Sequence, residues 1–129
     1  MQISRHILLF MLVVVAICAQ GCMVAAVGAG AAGTVAYIRG DLEAFDAKRI
    51  DAVYEASKLA VQQLELTVTR DSKDATSALI IARDAQDTKI TIKLNVTEEG
   101  PTAMSIRAGT FGDETKSRLV YDKIKENLK

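Results

Sequence analysis

The chain has 129 residues, 16 Lys and Arg against 16 Asp and Glu, and no Trp, which suits one domain better than two. Its two cysteines, Cys18 and Cys22, and its single histidine, His6, all lie near the N-terminus. The remainder can therefore form no disulfide, thiolate nucleophile, zinc site with N/S ligands or His-based acid–base pair, and without a basic excess no nucleic-acid partner is expected.

From Ile7 to Ile38 no side chain is charged, whereas from Arg39 onward charges are dense and mixed in sign. Arg5 and His6 precede an apolar stretch, Ile7 to Ile17, and small residues then lead to Ala19-Gln20-Gly21-Cys22. This is the three-part layout of a secretory signal. Its apolar stretch is short of the roughly 20 residues that span a bilayer. Its end resembles the lipoprotein signal, Leu-(Ala/Ser)-(Gly/Ala)-Cys, cut just before the cysteine. Ile17, ahead of Cys18, is too bulky for that cut, so Cys22 is the expected lipid attachment.

The resemblance implies a diacylglyceryl thioether on Cys22, a third acyl chain on its freed amine, and a membrane as partner. One chain binds a membrane only marginally and several hold it firmly. Cleavage after Gly21 removes Arg5 and no acid, leaving 16 − 1 = 15 bases against 16 acids. The alternative is a plain transmembrane anchor from Ile7 to about Val27; Gln20 and the clustered small residues count against it.

Gly28-Ala29-Gly30-Ala31-Ala32-Gly33 matches G-x-G-x-x-G. That pattern signals a dinucleotide only between a strand and a helix. Here no buried strand precedes it and a strand follows, so no cofactor is expected. Small residues four apart, Gly28 with Ala32 and Ala26 with Gly30, allow close helix approach in a membrane. A flexible apolar tether fits equally well.

A first strand is expected over Val35 to Phe45, with Gly40 as a bulge. A helix then opens at Asp46 or Ala47, Asp46 serving as N-cap, and runs to about Leu64. Ile50, Val53, Tyr54, Ala60, Val61 and Leu64 mark its apolar face. The period then changes to two. Leu66 and Val68 alternate with threonines, and Ala78 to Ile81 form an apolar run. Ile90, Ile92, Leu94 and Val96 alternate with polar residues, as do Met104, Ile106 and Ala108. Turn signals at Asp71–Asp74, Asp84–Thr88 and Glu98–Pro101 separate them, giving an antiparallel meander. A last helix runs from about Glu114 to Leu128, capped by Asp113, with Leu119, Val120, Ile124 and Leu128 as its buried stripe. The expected fold is α+β, order β-α-β-β-β-β-α, with two helices on one face of a four- to five-stranded sheet. The expected organisation is a signal at 1–21, a lipid-anchored Gly/Ala-rich segment at 22–36 and one globular domain at 37–129.

The stretches Gly21-Cys22-Met23-Val24-Ala25-Ala26-Val27-Gly28, Tyr37 to Glu43, Val53-Tyr54-Glu55-Ala56 and Ser105 to Glu114 together resemble a family of small bacterial lipoproteins called domain of unknown function 3568. The resemblance covers nearly the whole chain after Gly21. It implies a lipoprotein with one domain and says nothing of mechanism.

Arg107, Asp113 and Glu114 form a candidate polar cluster near Phe111 and Gly112; the competing reading is a strand-to-helix turn with a capping acid and a surface ion pair. Arg39, Asp41 and Glu43 suggest a solvated face. Lys89, Thr91 and Lys93 form a basic stripe on the outer sheet face, suited to anionic headgroups or a sugar polymer, with solvent as the default. The chain is expected to be a non-enzymatic envelope protein that contacts another envelope protein or the cell wall, on the periplasmic side of the outer membrane. The alternative is a small-ligand-binding module with a pocket between helices and sheet.

Overall fold

The computed structural model describes residues 35–129 and, before them, Ile7 alone. The readings of Cys22, the signal at 1–21 and the glycine run therefore fall outside the described residues.

Alternation builds the sheet, except that in the strand Thr67–Lys73 a bulge between Val68 and Arg70 puts these two residues on opposite faces. Its strands are β1 (Val35–Ile38), β2 (Asp41–Asp46), β3 (Thr67–Lys73), β4 (Ser77–Arg83), β5 (Lys89–Val96) and β6 (Thr102–Ala108). The spatial order is β1-β2-β6-β5-β4-β3 and every neighbouring pair is antiparallel. Side chains alternate between faces at period two. One face thus collects Leu42, Ala44, Ile80, Ile90, Ile92, Leu94, Met104 and Ile106, all essentially inaccessible to solvent. Helices α1 (Ile50–Gln63) and α2 (Glu114–Asn127) cover that face. α2 lies on β6 and β2, α1 on β5, β4 and β3, and the helices touch each other.

Among the described residues the fold is α+β, with six strands rather than four or five and the order β-β-α-β-β-β-β-α. The additional strand comes from the first expected one, which is a hairpin. Ile38 pairs with Asp41, leaving Arg39 and Gly40 as a two-residue loop. Both have positive φ, 52° and 89°, the combination that a tight type I′ turn requires. Gly40 adopts it freely. Arg39 does not, and its carbonyl accepts a hydrogen bond of 2.9 Å from the Arg107 guanidinium, which fastens the turn.

Other boundaries shift for local reasons. α1 starts at Ile50 with no side-chain cap. Asp46 ends β2 instead, where its carboxylate accepts from the Lys48 N–H at 2.9 Å and from Lys125 Nζ at 2.6 Å. α1 ends in a Schellman motif, Leu66 N–H to Val61 O and Glu65 N–H to Gln62 O, with Glu65 at φ 55° where glycine is usual. β3 extends through Lys73, and the turn that follows is organised by Asp74, which accepts from the N–H groups of Thr76 and Ser77. Asp113 caps α2 as expected, accepting from the Lys116 N–H at 3.0 Å. Leu119 is 54% exposed and Tyr121 takes its place in the buried stripe, because Ser117, Val120, Tyr121, Ile124 and Leu128 share one face at 100° per residue.

Candidate functional site

The face of the sheet opposite the helices has no cover among the described residues. The strand registers place Arg70, Arg83, Lys89, Lys93 and Arg107 on it, against Asp41 and Glu43. Leu79 and Ile81 lie between these charges, partly exposed. The middle of the face dips into a hollow of about 400 Å³, floored by Leu79, Ile81, Thr91 and Ser105 and edged by Lys89, Lys93, Arg107 and Asp41.

Arg107 organises one end of this face. Its Nε and Nη2 donate to the two oxygens of Asp41 at 2.8 and 2.7 Å, a bidentate fork. Nη2 also reaches the Arg39 carbonyl, and Nη1 donates to the Thr110 carbonyl at 3.3 Å. One guanidinium thus ties the β1–β2 turn to the loop that leads from β6 into α2. The two loops meet backbone to backbone. A Cβ on Gly40 would stand 2.6 Å from the Phe111 carbonyl oxygen, and one on Gly112 would strike Gly40 and lie 2.6 Å from the Tyr37 hydroxyl. Only glycines permit this approach. Between them the Phe111 side chain projects 94% exposed from a loop that is pinned on both sides.

The electrostatics follow from these bonds. The Arg107 hydrogen bond holds the Asp41 carboxyl below the ordinary carboxylate range; burial opposes it, and the charges of Arg107 and Lys93 add to it. The same bond raises the Arg107 pKa. Asp41 is thereby spent as a counter-ion. Lys89 and Lys93 have no carboxylate within 4 Å among the described residues, so the hollow keeps an uncompensated positive rim. Among the described residues no three carboxylates gather as a metal cage.

Of the sequence candidates, Arg107 and the Lys89–Lys93 stripe come together, since Thr91 is the register partner of Arg107. Asp113 and Glu114 do not join them. Asp113 is occupied as the α2 cap, and Glu114 pairs with Arg118 one turn along at 2.7 Å. The carboxylate that Arg107 uses, Asp41, lies 66 positions away in sequence. Only the β2–β6 pairing places it there, and no local signal announces that pairing.

The chain matches, over residues 5–127, the family model described as Protein of unknown function (DUF3568). It belongs to that family. No curated protein matches it. The match to this family begins in the charged start of the N-terminal segment and ends in the last turn of α2, so it takes in every strand and both helices described above. The hairpin turn at Gly40, the fork at Arg107 and the glycine contact at Gly112 all lie inside it, and the family description attaches no chemistry to them.

Proposed function

We propose that this chain is a lipid-anchored, non-enzymatic protein of the bacterial envelope that acts by contacting an acidic surface of another envelope protein. The anchor is Cys22, supported by the charged start at Arg5, the apolar run to Ile17 and the small residues ahead of the cysteine. It sets the domain outside the cytoplasm, on the periplasmic side of the outer membrane. No helix among the described residues is long and apolar enough to cross a membrane.

The observation that carries the contact role is the charge imbalance of the open face. Five cationic side chains stand there against Asp41, Glu43 and, in the loop beside Arg83, Asp87, which pairs with Arg83 at 3.1 Å. Lys89, Lys93 and Arg70 have no such partner among the described residues, and partly exposed Leu79 and Ile81 lie between them. A surface with an apolar centre and a one-sided charge steers and registers an oppositely charged partner. Asp41, Asp46, Asp74 and Asp84 are all held below the ordinary carboxylate range, and Tyr54 is pushed up to about 12 by its hydrogen bond to Asp71 and by burial. A general acid or base working near neutrality needs the opposite displacement.

The test has two parts. Mass spectrometry of the mature N-terminus should show a triacylated Cys22; an intact Met1 or an unmodified N-terminus would refute the anchor. A pull-down from solubilised envelope should then recover a partner that is lost with the double variant Lys89→Glu, Lys93→Glu and released by salt. The hollow of about 400 Å³ with its cationic rim favours one second reading, a small anionic ligand, because its volume falls within the range of ligand sites. Titration with inorganic phosphate or a short dicarboxylate separates the two: saturable binding abolished by Lys93→Glu would favour the ligand.

A further inference from the structure

Phe111 is the most exposed large apolar side chain among the described residues, at 94%, and its loop is fixed rather than loose. Arg107 fastens the Thr110 carbonyl beside it and the Arg39 carbonyl across from it. Gly40 packs against the Phe111 backbone, so closely that a Cβ would stand 2.6 Å from its carbonyl oxygen. Ile38, the residue before the β1–β2 turn, is 47% exposed. Two touching loops thus carry two large apolar groups at one tip of the molecule.

The charges around this tip are one-sided. The β1–β2 turn, the β4–β5 turn and the loop from β6 into α2 lie at the same end of the sheet, and the Gly109 N–H donates to the Lys89 carbonyl at 2.7 Å. The carboxylates of these connections are engaged. Asp41 is forked by Arg107, Asp84 holds Lys116, Asp87 pairs with Arg83 and Glu114 with Arg118, while Asp113 caps α2. Arg39 and Lys89, both exposed, have no carboxylate within 4 Å among the described residues. Glu65, in the connection from α1 to β3, is exposed at this end too, but β3 lies five strand positions from β1. The opposite end of the sheet differs. Val96 and Phe45 are partly exposed there, yet the adjoining β5–β6 turn carries Glu98 and Glu99, exposed and without a base within 4 Å among the described residues, and Lys48 offsets one of them.

We propose that Phe111 and Ile38 enter the interfacial layer of the bilayer that holds Cys22, with Arg39 and Lys89 against anionic headgroups; the proposal rests on the lipid anchor. Apolar groups beside basic ones are the combination that settles in a membrane interface. The uncharged run that starts at Ile7 ends at Ile38, within this tip. Val35 stands at the other end of β1, about 10 Å along the strand. From Cys22 to Val35 there are 35 − 22 = 13 residue steps, a covalent reach of up to about 45 Å. The anchor can therefore reach past β1 to the tip. Such a tether also keeps the tip at high effective concentration over the surface, so a weak contact is enough. The strands then rise away from the membrane, and the open face looks sideways toward proteins anchored in the same bilayer.

The chain has no Trp, so Phe111→Trp supplies a single reporter at an exposed site. The lipidated chain is placed in vesicles of phosphatidylethanolamine and phosphatidylglycerol, with plain or brominated acyl chains. Flotation of the vesicles reports the anchor, and quenching of Trp emission reports the tip. Bromolipid is expected to lower the emission of Phe111→Trp about twofold and to leave that of Phe45→Trp, at the other end of the sheet, unchanged. Ile38→Trp should be quenched as well, and adding Phe111→Asp should release it. Omitting phosphatidylglycerol, or combining Arg39→Asn with Lys89→Gln, should reduce the quenching; indifference to both would overturn the headgroup contacts. A chain that floats while Phe111→Trp stays unquenched keeps the anchor and overturns the tip, as does quenching of Phe45→Trp in its place. An unquenched but blue-shifted Phe111→Trp would overturn it in favour of cover by residues 22–34 or by another protein. A chain that does not float overturns the anchor and the tip with it.

Discussion

The two faces of the sheet are built from the same strands and differ in every other respect. On the covered face the inward residues of β2, β4, β6 and of β5 as far as Leu94 are almost wholly buried and, apart from Asp46 and Thr102, apolar, and Ser57 and Ser117 are the buried polar residues of the helices among the described residues. On the open face the intervening residues are charged, hydroxylic or partly exposed aliphatic. A strand buried on both faces would read as a continuous apolar run; this alternation belongs to a two-layer protein with one wet face. The difference separates two kinds of consequence. Changes to the covered face act on folding, and changes to the open face act on what the protein meets. Substitutions that respect or violate this division are the way to test it.

The largest effect is expected from Val120→Asp. Val120 is 2% exposed, in the layer between α2 and the sheet. A carboxylate there has no cation placed to receive it, and an unpaired buried charge costs about 4 kcal/mol or more. A core without disulfide or metal staples has little beyond that to lose. The variant should show no cooperative melt at 37 °C by circular dichroism. Lys93→Glu on the open face should melt within a few degrees of the native chain, since exposed substitutions usually change stability by under about 0.5 kcal/mol.

Asp46 tests the border between the faces. It is 5% exposed and holds Lys125, whose side chain stays 38% exposed. Asp46→Ala leaves Lys125 able to reach water, so the loss should be about 2 kcal/mol, below that of a fully enclosed pair. Burial pushes the Asp46 carboxyl up, but the hydrogen bonds from Lys125 and the Lys48 N–H outweigh it and the folded value lies below normal. Asp84 is lowered further, to about 2, chiefly by Lys116. A carboxyl depressed in the folded state contributes stability that is complete above its unfolded value and lost as pH falls through its folded one. Urea midpoints should therefore hold from pH 7 to about 4 and decline from about 4 to 2, less steeply in Asp46→Ala.

Gly112→Ala probes the contact that joins the two ends of the open face. The new Cβ would collide with Gly40 at a residue whose φ is 86°. Strain at such a position costs about 1–3 kcal/mol. Separation of the loops should also break the Arg107 bonds to Arg39 and Thr110, visible as loss of amide-exchange protection confined to residues 37–42 and 107–112. Protection unchanged there would show that the glycines are not what brings the loops together.

Much of the covered face was legible in the sequence. Ile90-x-Ile92-x-Leu94 and Met104-x-Ile106-x-Ala108 alternate without a break, and alternation alone fixes which side chains are buried. Where a residue serves two possible partners, the reading failed. Asp46 has the composition of an N-cap, yet its carboxylate holds a lysine from the last helix, 79 positions on. Arg39-Gly40 is not a usual hairpin pair, and the turn depends on a guanidinium from β6. Its period groups Val68 with the packed residues; that it stays half-exposed depends on where α1 ends its cover, which periodicity does not encode. The candidate site divided in the same way. Lys89, Thr91 and Lys93 share a face by local spacing, whereas the Arg107–Asp41 fork exists only through long-range register.

The smallest expected effect concerns two serines in the covered layer and has opposite signs. Ser57 and Ser117 are both fully buried, one on each helix. The Ser57 hydroxyl donates to the Val53 carbonyl at 2.7 Å, one turn back along α1. The Ser117 hydroxyl has no partner among the described residues. A buried hydroxyl without a hydrogen bond carries its desolvation cost uncompensated, about 1–3 kcal/mol, whereas a bonded one contributes about 1 kcal/mol net. Ser117→Ala removes the unpaired oxygen and leaves a methyl that fits the same space. It should stabilise the domain by about 1 kcal/mol, raising Tm by roughly 5 °C for a domain of this size. Ser57→Ala should lower Tm by a similar or smaller amount. Alanine also has the higher helix propensity, but that gain is common to both positions and cancels in the comparison. The difference between the two variants therefore reports the hydrogen bond alone. Equal melting temperatures for the two would mean that Ser117 is satisfied in solution, and the helix–sheet layer would then admit a water molecule beside α2.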